Sequence, residues 1–113
     1  MVKIEALVRS NKLDEIKAML ESLEIPEITI SEVFSNGGPM APTAMYRGAE
    51  YRVNIPRVKL ELLVSSLRVD EVVQAVSRAA RSGAPGDDGT ILVYEIADAI
   101  RIRSGTHVEF TLS

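Results

Sequence analysis

The sequence contains no cysteine, no tryptophan and only one histidine, His107. The missing thiols exclude disulfides, thiolate catalysis and zinc–sulfur centres, and one imidazole is too little for a histidine-based metal site. Aromatic residues make up 4% of the chain, as two Phe and three Tyr. A core must therefore be built from Val, Ile, Leu and Ala, and a small aliphatic core is often completed by subunit association. Basic charge is not in excess either: 13 Lys and Arg stand against 16 Asp and Glu, a formal net charge of −3. That balance offers no general attraction for nucleic acid or an anionic membrane surface, so any anion site must be local. No apolar run approaches the roughly 20 residues of a membrane span. The opening MVKIEALVRS is too charged and too briefly apolar for a signal peptide, and the expected location is the cytoplasm.

What is present is the composition of one folded domain over residues 1–113, with 46% hydrophobic and 26% charged residues. Val2, Ile4, Ala6 and Val8 alternate with Lys3, Glu5 and Arg9, the pattern of a strand buried on one face. Beyond Asn11, a candidate N-cap, Leu13, Ile16, Met19, Leu20 and Leu23 share a helical face that ends before Pro26. Ile28 to Phe34 predicts a second strand, and Val58, Leu60, Leu62 and Val64 predict a third. Val69, Val72, Val73, Val76, Ala79 and Ala80 mark a second helix with a small apolar face, suited to close packing on a sheet. Ile91, Leu92, Val93 and Tyr94 follow as a strand apolar on both faces.

The order βαββαβ predicts an α+β, ferredoxin-like plan: a four-stranded antiparallel sheet with both helices on one face. The other face is expected to be aliphatic and to need a cover. Val108, Phe110 and Leu112 alternate near the C-terminus and predict a strand extension, with His107 exposed on its opposite side.

Three segments carry candidate chemistry. The stretch from Ser35 to Pro56, between the second and third strands, far exceeds a usual hairpin connection. Asn36, Gly37, Gly38, Pro39 and Pro42 make its first part mobile, and Tyr46 to Tyr51 offers aromatics and both signs of charge as a contact surface. The turn from Gly83 to Thr90 has three glycines whose N–H groups can approach a ligand, although most such turns only connect elements. It lacks the Gly-Lys-Ser/Thr of a Walker A loop. Arg101 and Arg103 flank Ile102, and on an extended backbone their guanidinium forks share a face suited to a phosphate chain or simply to solvent. Asp87 and Asp88 could hold a metal or act as an acid/base pair, but no nucleophile accompanies them. No metal site is expected.

Together these segments resemble the PII nitrogen-regulatory signal-transduction family along nearly the whole chain. The sharpest match is Tyr46-Arg47-Gly48-Ala49-Glu50-Tyr51, which is similar to the signature of that family's large T-loop, here about 35–56. It is joined by KIEALVR, KLDEI, Thr29 with Glu32 and Val33, Pro56-Arg57-Val58-Lys59, and Ile100-Arg101-Ile102-Arg103-Ser104-Gly105. The resemblance implies a homotrimer that binds ATP or ADP, with or without Mg²⁺, in clefts between subunits. It also implies T-loops that reach a transporter, enzyme or regulator. By the same resemblance the cleft is lined by Thr29, Gly37, Arg57, Val64, Arg101 and Arg103. The nucleotide-loop, about 82–90, would add Gly86, Asp87, Asp88, Gly89 and Thr90. Tyr51 matches a position that some members modify by uridylylation, and Tyr46 and Arg47 become candidate partner contacts.

Three departures bear on the ligand. Pro39 stands where the family commonly has a Gln that helps hold Mg²⁺ and 2-oxoglutarate. Thr90 replaces a Lys, and the family's Gly-Asp-Gly is expanded to Gly86-Asp87-Asp88-Gly89. 2-Oxoglutarate is therefore expected to add little to MgATP binding. The leading expectation is a nitrogen-regulatory signal protein and not an enzyme. The alternatives are a diverged sensor of ADP, AMP or another small anion in a different pathway, slow phosphohydrolysis at Asp87 or Asp88 with a metal, and a purely structural trimer.

Overall fold

The structure, a computed structural model, describes residues 1–25, 27–35, 43–52, 55–83 and 86–109. Strand β1, Val2–Arg9, realises its alternation strictly, with every even residue buried and every odd one half-buried. A single 3-10 turn, Ser10–Lys12, leads into helix α1, Leu13–Ser22. Asn11 lies inside that turn and Lys12 occupies the N-cap without a side-chain bond, because the 3-10 turn already brings the Leu13 N–H onto the Ser10 carbonyl. Asp14 and Glu15 complement the positive end of the helix, and Ile16 and Leu20 are buried.

Helix α1 stops in a Schellman motif. The Ile25 N–H donates to the Leu20 carbonyl at 3.1 Å and the Glu24 N–H to that of Glu21 at 3.0 Å, while Glu24 takes φ 59°. Ile25 closes the motif by burying against the core. A side chain in this left-handed position is strained where glycine is not. Glu24→Gly is expected to raise stability by about 0.5–1 kcal/mol in urea denaturation.

The remaining elements are β2, Thr29–Ser35; β3, Thr43–Tyr46; β4, Ala49–Arg52; β5, Ile55–Val64; α2, Val69–Ala80; and β6, Gly89–Glu95. The main sheet has the order β2-β5-β1-β6, antiparallel throughout. Val2 faces Val64 and Glu95 at one end of β1, and Val8 faces Val58 and Gly89 near the other. The buried residues of β1 and β5 form one cluster with Ile16 and Leu20 of α1 and Val72, Val76 and Ala80 of α2, so both helices cover the same sheet face. Arg68 donates to the Leu23 carbonyl at 2.7 Å and ties the end of α1 to the start of α2. This is the ferredoxin-like plan.

The uncovered face differs from expectation. It is interleaved with charge: Lys3 and Glu5 on β1 and Lys59 and Glu61 on β5 stand beside Leu7 and Leu63. Glu5 and Glu61 are directly opposite, a repulsive pairing that the flanking lysines offset. Lys3 Nζ lies 2.8 Å from Glu61 and 3.8 Å from Glu5, Lys59 Nζ lies 3.9 Å from Glu5, and the Lys3 ammonium sits 5.2 Å from the centre of the Tyr94 ring. The Lys3 hydrogen bond holds the Glu61 carboxyl below its ordinary range and in turn raises Lys3. The alternation that buries aliphatic residues under the helices places charges on this side, so the premise of an aliphatic outer face is not met.

Two further differences concern loops. Part of the long connection between β2 and β5 is a two-stranded ribbon, β3 against β4, with Tyr46 opposite Ala49. Its turn residues Arg47 and Gly48 have φ of 51° and 79°, as the primed turn of a tight hairpin requires. Near the C-terminus no strand forms among the described residues. Ile100 and His107 make an isolated bridge around a turn over 102–104, closed by Arg101 N–H to Thr106 O at 2.9 Å and Gly105 N–H to Arg101 O at 2.8 Å. Gly105 at φ 68° favours the turn over continued alternation. Phe110 and Leu112 lie outside the described residues.

Candidate functional site

At the end of the sheet where Arg9, Arg57 and Val33 are register partners, Arg57 is only 3% exposed, the one buried charged side chain among the described residues. Its Nη2 donates to the Asp87 carbonyl at 2.8 Å, and its buried Nη1 has no hydrogen-bond partner among the described residues. The loop it holds is fastened further by its own acids. Asp87 Oδ1 accepts the Gly89 N–H at 2.8 Å, and Asp88 Oδ1 accepts the Ser82 hydroxyl at 2.6 Å and lies 3.3 Å from Arg9 Nε. Gly89, at φ 119°, passes so close to β1 that a Cβ there would fall 1.9 Å from the Leu7 carbonyl oxygen. Thr90 follows on β6 opposite Leu7. Arg9, Arg57 and the Gly89 N–H thus converge on one corner together with the Asp87 and Asp88 carboxylates, an arrangement that can receive an anion once a carboxylate gives up its donor.

The second group lies further along the sheet. Thr29 is opposite Glu61, four residues along β5 from Arg57, or roughly 13 Å at about 3.3 Å per residue. Thr29, Glu61, Leu62, Leu63, Arg101 and Val108 border a pocket of about 280 Å³, and Arg101 Nη1 lies 3.5 Å from Glu27.

The other expected residues fall elsewhere. Val64 points its buried side chain into the core opposite Val2, and Arg103 is exposed in the 102–104 turn. The two arginines therefore do not share one face of a strand, since a turn replaces the extended backbone. His107 is exposed as expected, but its Nδ1 lies 2.8 Å from Asp98 Oδ1. Tyr51 is on β4 opposite Ala44, and the Arg47 guanidinium lies 5.3 Å from the centre of the exposed Tyr46 ring. Gly37 and Pro39 lie outside the described residues. Among the described residues no three His, Cys, Asp or Glu side chains gather to hold a metal, and no helix is long and apolar enough to cross a membrane.

The family model described as nitrogen regulatory protein P-II matches residues 1–106. The chain belongs to the P-II family. It is 43% identical over 106 residues to nitrogen regulatory protein P-II of Rhodospirillum rubrum, which covers 93% of this chain and 94% of that protein. It is 43% identical over 110 residues to the P-II protein of Haemophilus influenzae, covering 96% and 97%. It is 41% identical over 108 residues to nitrogen regulatory protein P-II 1 of Methanothermobacter thermautotrophicus, covering 95% and 93%.

On this P-II chain the sequence reading missed Arg9 and Ser82, the partners of Asp88, and Glu61 and Leu63 beside Thr29. Arg9 ends the alternation of β1 on the side that faces away from the helices, a signal that could have placed it. The Asp88 carboxyl is held below its ordinary value of 3.8 chiefly by the Ser82 hydroxyl, with Arg9 adding to it. Asp98 is held low chiefly by His107, then by the Ala99 N–H. These contributions to stability are fully present above the ordinary carboxylate value and disappear as pH falls through the lower folded values. Melting temperature is expected to drop on acidification below about pH 4, and Asp88→Asn is expected to flatten that drop while lowering stability at neutral pH.

Proposed function

We propose that the chain is a cytoplasmic signal-transduction regulator of nitrogen metabolism, assembled as a homotrimer, that binds ATP or ADP between copies and acts on partner proteins through the 35–56 loop. One observation carries the reading. The residues assigned to the ligand divide into two groups along one sheet: Arg57 with the 86–90 loop, and Thr29 with Arg101. In this reading neither group is a whole nucleotide site, and a second copy brings them together. The charged outer sheet face supports association, since Lys3, Glu5, Lys59 and Glu61 alternate in sign and suit a like surface.

In this reading the loop donors and Arg57 hold phosphates, and the neighbouring copy supplies Arg101 and Thr29. Arg103 lies on the same 100–107 hairpin as Arg101, and Gly37 belongs to the 35–56 segment that senses occupancy. Tyr46 and Arg47, exposed at the tip of the β3–β4 ribbon, present the partner surface. The protein regulates and does not catalyse. Pro39 offers no side-chain oxygen to a metal, so 2-oxoglutarate adds little to MgATP affinity.

Light scattering at micromolar concentration is expected to give three times the chain mass. Calorimetry is expected to show saturable adenine-nucleotide binding, with or without Mg²⁺, and at most a small gain from 2-oxoglutarate. A monomer with no nucleotide binding at millimolar concentration would sink the proposal.

A further inference from the structure

The groups best placed to receive an anion at the 86–89 loop already hold one. The Gly89 N–H is taken by Asp87 Oδ1 at 2.8 Å, and Arg9 Nε has Asp88 Oδ1 at 3.3 Å. The two acids are not equivalent. Asp88 is half-buried and fastened from two sides by Ser82 and Arg9, whereas Asp87 is exposed and among the described residues its carboxylate makes one hydrogen bond, to a neighbour two residues away. Beside them lies an independent sign of a missing acceptor. Arg57, almost fully buried, is bound to the Asp87 carbonyl through Nη2, and its Nη1 is buried without a partner among the described residues. A buried guanidinium N–H lacking an acceptor points to one that arrives with a ligand.

We propose that Asp87 is a charge-selective gate of this site: an internal carboxylate that occupies the Gly89 N–H until a phosphate displaces it, so that less charged adenine nucleotides are favoured over the triphosphate. The proposal rests on the adenine-nucleotide reading above and adds a specificity residue to it. A phosphate entering beside Arg57 must take the Gly89 donor from Asp87 and then share the corner with two carboxylates. That repulsion grows with each phosphate charge. Thr90 brings no cation to offset it. Asp88 stays in place as a fixed negative charge, and Asp87 is the one free to swing out.

The test is calorimetry on the assembled full chain with AMP, ADP and ATP, without Mg²⁺, comparing the unmodified protein with Asp87→Asn. The amide keeps an oxygen for the Gly89 N–H and removes only the charge. ATP is expected to bind about tenfold or more tightly to the variant, with ADP intermediate and AMP changed less than about threefold. Equal factors for all three, or no change in any, would overturn the gate while leaving nucleotide binding intact. No binding of any nucleotide to either protein, with melting temperatures unaltered, would overturn the underlying reading and the gate with it. Asp87→Ser, which also offers a neutral acceptor, carries the same comparison if the amide variant folds poorly. Loss of folding in both variants would make Asp87 a structural residue and overturn the gate.

Discussion

Gly89→Ala is expected to destabilise the chain by about 3 kcal/mol or more, a large share of the roughly 5–15 kcal/mol available to a domain. Gly89 sits at φ 119°, where an L side chain is strained whatever the space around it. Space is also lacking. The added Cβ would lie 1.9 Å from the Leu7 carbonyl oxygen, 2.9 Å from its carbon and 3.1 Å from the Val8 Cα. All three are backbone atoms of β1, which is paired on one side with β5 and on the other with β6. They cannot yield without breaking a central strand, so relief must come from lifting the start of β6 away. That would also undo the Asp87 bond to Gly89 and the neighbouring Asp88 contacts. Gly83 and Gly105 provide the comparison. Their φ values are 70° and 68°, with open space around a built Cβ, and alanine at either is expected to cost about 1 kcal/mol. Urea denaturation of the three variants checks this, and a Gly89→Ala protein within 1 kcal/mol of the unmodified chain would refute the close approach.

The elements most legible in the sequence are those whose hydrophobic period coincides with burial. Val2 to Val8 and Val58 to Val64 bury the residues their spacing selects, and Val69 to Ala80 buries Val72, Val76 and Ala80 fully and Val69, Val73 and Ala79 in part. Where a short-range signal competes with a period, the period can be broken. The alternation of Ile100 to Arg103 reads as extended backbone, yet Gly105 and the Arg101–Thr106 bond turn the chain over 102–104. The same turn separates Arg101 from Arg103. Arg47-Gly48 was legible as a motif but not as a turn, because a primed hairpin needs left-handed φ at both residues and arginine does not announce it. Charges on the outer sheet face were visible as polar residues. That Lys3 reaches Glu61 depends on the β1–β5 register, which no local pattern encodes. The candidate site was legible mainly through resemblance. Its division along the sheet follows from strand order and register, which emerge only when distant segments pair.

That division leads to the second large effect. Arg57→Ala and Arg101→Ala are each expected to weaken ATP binding on the order of 10- to 100-fold, the consequence of losing charge-assisted hydrogen bonds to phosphate. Taken singly, such losses do not reveal whether the two arginines serve one chain or two. Mixed assemblies do. In the closed ring proposed above, each site would take Arg57 and the 86–90 loop from one copy and Arg101 and Thr29 from the next. An Arg101→Ala copy still has an intact Arg57 half, and an Arg57→Ala copy still has an intact Arg101 half. When the two are co-expressed in equal amounts and assemble at random, about a quarter of the sites combine both intact halves, one factor of a half from each side. Those sites are expected to regain the affinity of the unmodified protein and to appear in calorimetry as a tight fraction absent from either parent. If both arginines acted on a ligand held by one chain, no mixing could unite them, because every copy would lack one. A mixture that binds no better than its parents, with its subunits shown by mass to be combined, would therefore rule out the shared site and leave the two groups as separate features of a single chain.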